Sequence, residues 1–188
     1  MITREHLKSR LEAHAPAEHE AKARAAVATI VRAHAAGPQV LLIQRAEHPD
    51  DPWSGHMAFP GGRHEDRDET LHHTAVRETA EEIGLPLPEH ADPLGAMDDV
   101  PTHTTGLVVR PYVFWLRETP ALTLDRSEVA AVHWADLGAM MRGERDTTHA
   151  FPWKGQTHRL PAYDIGDRVV WGLTYRMLST LFDRLKTG

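Results

Sequence analysis

The sequence predicts a layered α/β (α+β) domain, on three observations. Short β-branched and aliphatic runs at 25–32, 39–45, 107–116 and 129–134 have the length of strands. Two stretches, about 69–83 and 171–185, carry the apolar spacing of helices. The two kinds alternate along the chain and do not segregate, which favours layers of helix on sheet over an all-α or all-β arrangement. At 188 residues and 41% hydrophobic content, one domain spanning 1–188 can fill its own core.

Each element has a local reason. Thr3 is a candidate N-cap for a short helix over 3–14, where Leu7 and Leu11 stand one turn apart ahead of Pro16, so residues 1–20 read as an N-terminal helical extension. The runs 25–32 and 39–45 flank Ala36-Gly37-Pro38 and read as a hairpin. A polar stretch, 47–54, leads to Gly55-His56-Met57-Ala58-Phe59-Pro60-Gly61-Gly62, a short strand running into a glycine turn. The clearest helix follows at about 69–83, closed by Gly84 with Pro86 beyond it.

Composition narrows the function. A formal charge of −6 and a pI near 6.1 argue against nucleic acid as a partner, because no basic face dominates the field. Without cysteine there is no disulfide and no thiolate chemistry, as in a reducing cytosol. No apolar run approaches the roughly 18 residues of a membrane span, so no membrane partner is expected and the setting reads as cytoplasmic. The 14 histidines are scattered, none in the spacing of a zinc site.

The chemistry concentrates in Arg77-Glu78-Thr79-Ala80-Glu81-Glu82-Ile83-Gly84-Leu85. On a helix, Glu78, Glu81 and Glu82 fall within an arc of roughly 100°. A Glu-rich face is ordinarily just solvated. Three carboxylates so close repel one another, however, and the arrangement makes best sense around cations, with oxygen ligands suiting Mg²⁺ or Mn²⁺. Such an ion bridges phosphate oxygens and lowers the pKa of a bound water, the equipment for hydrolysing a diphosphate. Arg77 has two candidate partners, Glu81 one turn on or an acid in the preceding loop. Gly61 and Gly62 allow backbone to approach an ion or phosphate closely. Arg45, ending a strand, is a candidate phosphate contact, although strand-end arginines are commonly only solvated. Trp53, in Asp50-Asp51-Pro52-Trp53, reads either as a packed residue of an exposed turn or as a platform for a base.

Residues 62–85 resemble the Nudix box, G-x5-E-x7-R-E-U-x-E-E-x-G-U with U aliphatic, and Phe59-Pro60 precedes it as in many members. Gly62, Arg77, Glu78, Glu81, Glu82, Gly84 and Leu85 stand in order. Thr79 takes an aliphatic place, and one extra residue before Arg77 leaves the first acid as either Asp68, counted from the glycine, or Glu69, counted from the arginine. The resemblance implies a Nudix-type α/β/α sandwich with a central mixed β-sheet, and Mg²⁺ (or Mn²⁺) held by Glu78, Glu81, Glu82 and the Gly61 carbonyl. It also implies catalytic parts for Arg77, Glu81 and Glu128, the last as general base or extra ligand, and substrate contacts at Arg45, Phe59 and Gly62. A homodimer is a further expectation, since members often dimerise.

Within that family, the span 41–62 is similar to a motif of coenzyme A pyrophosphatases, L-L-T-x-R-S-A-x3-R-x3-G-x3-F-P-G-G. Leu41, Leu42, Arg45, Gly55, Phe59, Pro60, Gly61 and Gly62 fit, while Ile43 and Ala46 replace the threonine and serine and Asp51 stands at the second arginine. The segments 97–102 and 170–174 share the likeness. The implied reaction is cleavage of coenzyme A or a derivative into 3′,5′-ADP and 4′-phosphopantetheine. A broader nucleoside-diphosphate-X or nucleoside-triphosphate pyrophosphatase is the alternative, and a nucleotide sensor without catalysis a third reading.

Overall fold

A computed structural model describes residues 2–49, 53–102 and 106–186. Asp51, the sequence departure with most bearing on substrate choice, lies outside the described residues. In chain order the elements are α1 (Arg4–Glu12), β1 (Ala23–Arg32), β2 (Gln39–Arg45), β3 (Met57–Ala58), β4 (Gly61–Arg63), α2 (Leu71–Ile83), α3 (Leu87–His90), β5 (Ala91–Ala96), β6 (Val100–Pro101), β7 (Leu107–Leu116), β8 (Val129–Asp136), α4 (Leu137–Met141), β9 (Asp146–Trp153), β10 (Gln156–Asp164), β11 (Val169–Trp171) and α5 (Gly172–Lys186).

The run Ala25–Val31 is buried throughout because β1 is a central strand covered on both faces. It pairs with β7 in parallel over its whole length, Ala23 opposite Leu107 to Arg32 opposite Leu116, while the other pairings of the main sheet are antiparallel. That makes the sheet mixed, in the order β3-β2-β1-β7-β5 with β4 and β6 on β1 and β7 and β8 on β2. Side-chain alternation divides the core in two. Ala26, Ala28 and Ile30 face Ala75 and Ile83 of α2, where small residues let the helix sit close to the sheet. Ala25, Val27 and Val31 face the other way, toward Leu7 and Leu11 of α1 and Met177, Leu178, Leu181 and Phe182 of α5. Helices thus cover both faces, the α/β/α sandwich that the resemblance implied.

The expected hairpin forms and then opens. β1 and β2 pair only at Val31–Val40 and Arg32–Gln39. Beyond that point β2 pairs with β3 and β1 with β4, while β8 runs along the whole of β2 on its other edge. Phe59 and Pro60 carry the chain across the gap, so the glycines of β4 are laid against β1 at the mouth of the split.

Residues 13–22 form no helix or strand, yet Asp98 and Asp99 pin them. Asp98 accepts from the Ala17 amide (2.7 Å), and the Asp99 carboxylate accepts from the His19 amide (2.8 Å), Arg24 (2.7 Å) and Arg110 (2.7 Å). A second sheet, β11-β10-β9, was not expected from the sequence, because β9 and most of β10 are polar and exposed. Its one local signal is Lys154-Gly155, whose φ values of 49° and 77° make the two-residue turn that joins paired Trp153 and Gln156.

Gly84 ends α2 in the left-handed region at φ 65°, and its amide donates to the Ala80 carbonyl. A β-carbon there would lie 2.9 Å from the Thr123 carbonyl oxygen. Gly84→Ala is therefore expected to cost about 1–3 kcal/mol, measured by urea denaturation; unchanged stability would contradict this account of the helix end.

Candidate functional site

The site is assembled where the C-terminal half of α2 meets β4. Thr70 caps the helix, its hydroxyl accepting from the His73 amide. The helix starts two residues later than the sequence suggested, and that settles the first acid. Asp68 is buried, with its side chain 3% exposed, whereas the Glu69 side chain is 84% exposed. The box is therefore counted from the glycine, and the extra residue is absorbed between Asp68 and the first turn.

Asp68 is buried to receive Arg77. Arg77 Nε and Nη2 donate to the two Asp68 oxygens at 2.8 and 2.9 Å, the paired geometry in which guanidinium and carboxylate match best. Nη1 donates to Glu78 and Glu81, both at 2.9 Å, and Nη2 also to the Arg63 carbonyl at 3.2 Å. All five donors of the guanidinium are engaged. Asp68 further accepts from Thr74 Oγ1 (2.9 Å) and the Glu65 amide (3.1 Å). Hydrogen bonding from Arg77 holds the Asp68 carboxyl far below the usual carboxylate range, and Asp68 in turn raises Arg77. Both partners that the sequence offered for Arg77 are real, and the loop acid takes the larger share.

Glu82 is 3% exposed, and its Oε2 accepts from the Gly61 amide at 2.9 Å. Burial, and then the charges of Glu78 and Glu128, push its carboxyl up to about 8 against the Gly61 hydrogen bond and the charge of Arg45. Glu78 is raised also, first by burial and then by Glu81 and Glu128, with Arg77 opposing. The Glu78 carboxylate occupies the space that a side chain on Gly62 would need, with a β-carbon there falling 2.5 Å from Oε1. At Gly61, φ is 150° and a β-carbon would run into the Ala26 carbonyl and Val27. The two glycines are what allow backbone and carboxylates to meet.

Other expected residues divide. Arg45 and Glu128 lie close enough for their charges to act on Glu82, and the Glu128 carbonyl accepts from the Ala46 amide at 2.8 Å. Glu81 is on the same helix face, but its oxygens are held by Arg77 and by Arg67 (3.2 Å) and its side chain is 47% exposed. Phe59 is corrected: at 3% exposure it belongs to the core beneath the turn, with Leu42 and Met57, and does not line the site. Thr79 is buried in its aliphatic place because its hydroxyl donates to the Ala75 carbonyl at 2.7 Å, leaving the methyl for the core. The sequence left Asp68 as one of two candidates for the first acid, reached by the count from Gly62, and did not single out Thr74 or Arg67.

The donor set fits a hard divalent cation. Every group present is an oxygen, the carboxylates of Glu78, Glu82 and Glu128 repel one another where they stand, and the glycine turn lets the Glu78 carboxylate lie against the backbone. Among the described residues no three acidic or histidine side chains are drawn together tightly enough to enclose an ion by themselves, so Arg77 and the Gly61 amide supply the compensating contacts.

Two outcomes follow for pH. The Asp68 pair contributes stability that is complete above the unfolded carboxyl value near 4 and is lost as pH falls below it. Asp68→Asn is expected to lower stability at pH 7 by about 3 kcal/mol and to flatten that acid limb, read by urea denaturation at stepped pH; a parallel acid limb would refute the pairing. Glu82 has the opposite sign. Its folded carboxyl keeps a proton from the ordinary 4.5 up to about 8, so the folded state binds more protons than the unfolded one in that window, and stability in chelator falls as pH rises through it. Thermal melts in EDTA should show this decline in the parent chain and not in Glu82→Gln.

A family model for the NUDIX domain matches residues 22–154. The chain is 43% identical over 116 residues to an uncharacterized protein of Schizosaccharomyces pombe, covering 58% of this chain and 35% of that one. It is 32% identical over 130 residues to Nudix hydrolase 22, chloroplastic, of Arabidopsis thaliana, covering 66% and 43%. With the uncharacterized Nudix hydrolase NudL of Cronobacter sakazakii, identity is 32% over 148 residues, covering 77% and 73%. The chain thus spans less than half the length of the first two relatives. Among solved structures, a MutT/nudix family protein from Enterococcus faecalis aligns over 98% of this chain and 70% of its own, with TM-score 0.59 and 19% identity. The NUDIX domain of Shewanella oneidensis NrtR, solved with ADP ribose, aligns over 76% and 88%, with TM-score 0.50 and 23% identity. At these identities the structural likeness speaks for the fold.

Proposed function

The chain belongs to the Nudix family, and from that premise we propose that it is a divalent-metal-dependent pyrophosphohydrolase acting on a small molecule that contains a nucleoside diphosphate. The observation that carries the reading is the meeting of Glu78 and Glu82 with the Gly61-Gly62 turn, where carboxylates are kept together at the cost of raised pKa values. In the reaction, water adds across a P–O–P bridge, one P–O bond forms and another breaks, and two phosphate-ended products leave.

Glu78 and Glu82, with the Gly61 carbonyl and Glu128, would hold Mg²⁺ (or Mn²⁺). When bound, such an ion offsets charge on the phosphate oxygens and lowers the pKa of a coordinated water. The protein's own parts are positional. Arg77 fixes Glu78 and Glu81 against rotation, Asp68 fixes Arg77, and Glu128 or Glu81 accepts the proton of the attacking water. Arg45 draws a phosphate toward the carboxylates, and Gly62 offers it a backbone contact. Coenzyme A or a derivative is the proposed substrate, cleaved to 3′,5′-ADP and 4′-phosphopantetheine, on the fit of Leu41, Leu42, Arg45, Gly55 and the Phe59–Gly62 run to the coenzyme A motif. The departures at Ile43, Ala46 and Asp51 favour a second reading, a broader nucleoside-diphosphate-X pyrophosphatase. Among the described residues no helix is long and apolar enough to cross a membrane, and we place the activity in the cytoplasm, with a homodimer as the proposed assembly.

Turnover of coenzyme A with Mg²⁺, followed by chromatography beside ADP-ribose, NADH and dNTPs, is expected to be fastest for coenzyme A; preference for a panel member would establish the second reading. Glu82→Gln should lower turnover by a factor of about a thousand or more while the far-ultraviolet circular dichroism is unchanged. Near-parental turnover would remove Glu82 from the chemistry.

A further inference from the structure

Beside the carboxylate site, on the far side of Arg45, the second sheet presents a wall of aromatic rings. Trp171 of β11 stacks on His149 of β9, with centroids 4.3 Å apart and planes at 21°. His56 meets Trp171 edge-on at 4.9 Å, and Phe151 lies against it at 5.3 Å. Trp53 reaches both His56 (5.7 Å) and Trp171 (6.4 Å) while remaining 44% exposed. A cavity of about 260 Å³ opens among Gly55, His56, His149, Arg168 and Trp171. Its outer edge is polar, with Asp167 and Arg168 in a tight turn whose Ile165 amide donates to the Arg168 carbonyl.

The backbone ties this cavity to the carboxylates. The Arg45 amide donates to the His56 carbonyl at 3.0 Å, and the Gly55 amide to the Arg45 carbonyl at 3.1 Å, so His56 sits on the strand-like segment next to the arginine whose charge acts on Glu82. A molecule with its diphosphate at Glu78 and Glu82 has its next group at this opening. The walls and rim select the class of that group. Ring faces and edges suit a flat π-system, and hydrogen-bonding groups at the mouth suit its polar edge. The cavity is smaller than the roughly 300–1,000 Å³ that encloses a whole drug-sized ligand, so it takes a single ring system and leaves the sugar and phosphates outside. An alkyl or pantetheine-like chain would gain apolar burial against these rings but could not stack on them as a flat ring does.

We propose that the cavity between His56, His149 and Trp171 is a nucleobase subsite, in which the base of the substrate stacks against the aromatic wall and presents its edge to Asp167 and Arg168, with Trp53 closing over the exposed side. This deepens the proposed function and rests on it for the position of the diphosphate, but its test does not require turnover. It also gives a use to a sheet whose strands β9 and β10 add little to either core.

The experiment is calorimetric titration of the full chain, in EDTA, with AMP and separately with ribose 5-phosphate, which keeps the phosphate and sugar and lacks the base. AMP is expected to bind at least about tenfold more tightly. Trp53→Ala and His149→Ala should each weaken AMP by a factor of about ten without changing the affinity for ribose 5-phosphate, and His149→Phe should restore most of the loss. Trp53 is exposed, so its variant keeps the proposal testable if the His149 variant fails to fold. Equal affinities for the two ligands, no AMP binding, or variants that alter only the oligomeric state would overturn the proposal, the last outcome marking the wall as a protein interface. Failure of the hydrolase reading would appear elsewhere, as no turnover of coenzyme A, ADP-ribose, NADH or dNTPs by the parent chain with Mg²⁺ while AMP binding is intact.

Discussion

One guanidinium organises the acidic end of this fold. Arg77 has five hydrogen-bond donors and spends them on Asp68, Glu78, Glu81 and the Arg63 carbonyl. Without it, several carboxylates would face one another along the last turns of α2, and like charges at helical spacing destabilise a helix. With it, a buried aspartate locks the arginine, the arginine locks two glutamates, and the acidic face becomes a fixed surface. The geometry explains why the arginine sits within the helix and its anchor in the loop before it: the fork can be gripped from outside while its inner nitrogen still reaches along the helix.

The arrangement leaves one charge uncompensated. Glu82 lies deeper than its neighbours, and the Gly61 amide and the charge of Arg45 do not offset burial and the nearby Glu78 and Glu128, which raise its carboxyl. A fold selected for stability alone would replace such a group by something apolar. Its retention opposite a glycine turn, at the mouth opened where β1 and β2 part, is the physical basis for assigning chemistry here. The split hairpin, the two glycines and the buried glutamate are one construction, because a side chain at either glycine would close it.

Much of this was legible in the chain. The helix carrying the carboxylates, its Gly84 stop, the strands 107–116 and 129–134 and the closing helix follow from apolar spacing and local stop signals. The acidic triplet followed from helical geometry. What spacing could not give was depth and direction: Glu78, Glu81 and Glu82 look alike on a helical wheel, yet Glu82 is buried, Glu78 fills the glycine notch and Glu81 points out to Arg67. Nor could it choose between Asp68 and Glu69, since that depended on where the helix begins. Phe59 was a substrate contact only by the resemblance, and its side chain lies buried in the core with Leu42 and Met57. The sheet of β9 to β11 escaped notice because β9 and most of β10 are exposed and lack a regular apolar alternation, and its aromatic residues, distant in sequence from Trp53 and His56, become neighbours only in the fold.

The central claim is that Glu78 and Glu82 gather a divalent cation at the glycine turn. The most direct measurement is electron paramagnetic resonance of Mn²⁺ titrated with the protein, in which the sharp six-line signal of the free ion disappears on binding. The account predicts loss of that signal with the parent chain and its persistence, at the same concentrations, with Glu78→Gln and with Glu82→Gln. Binding by both variants as tight as by the parent would contradict it.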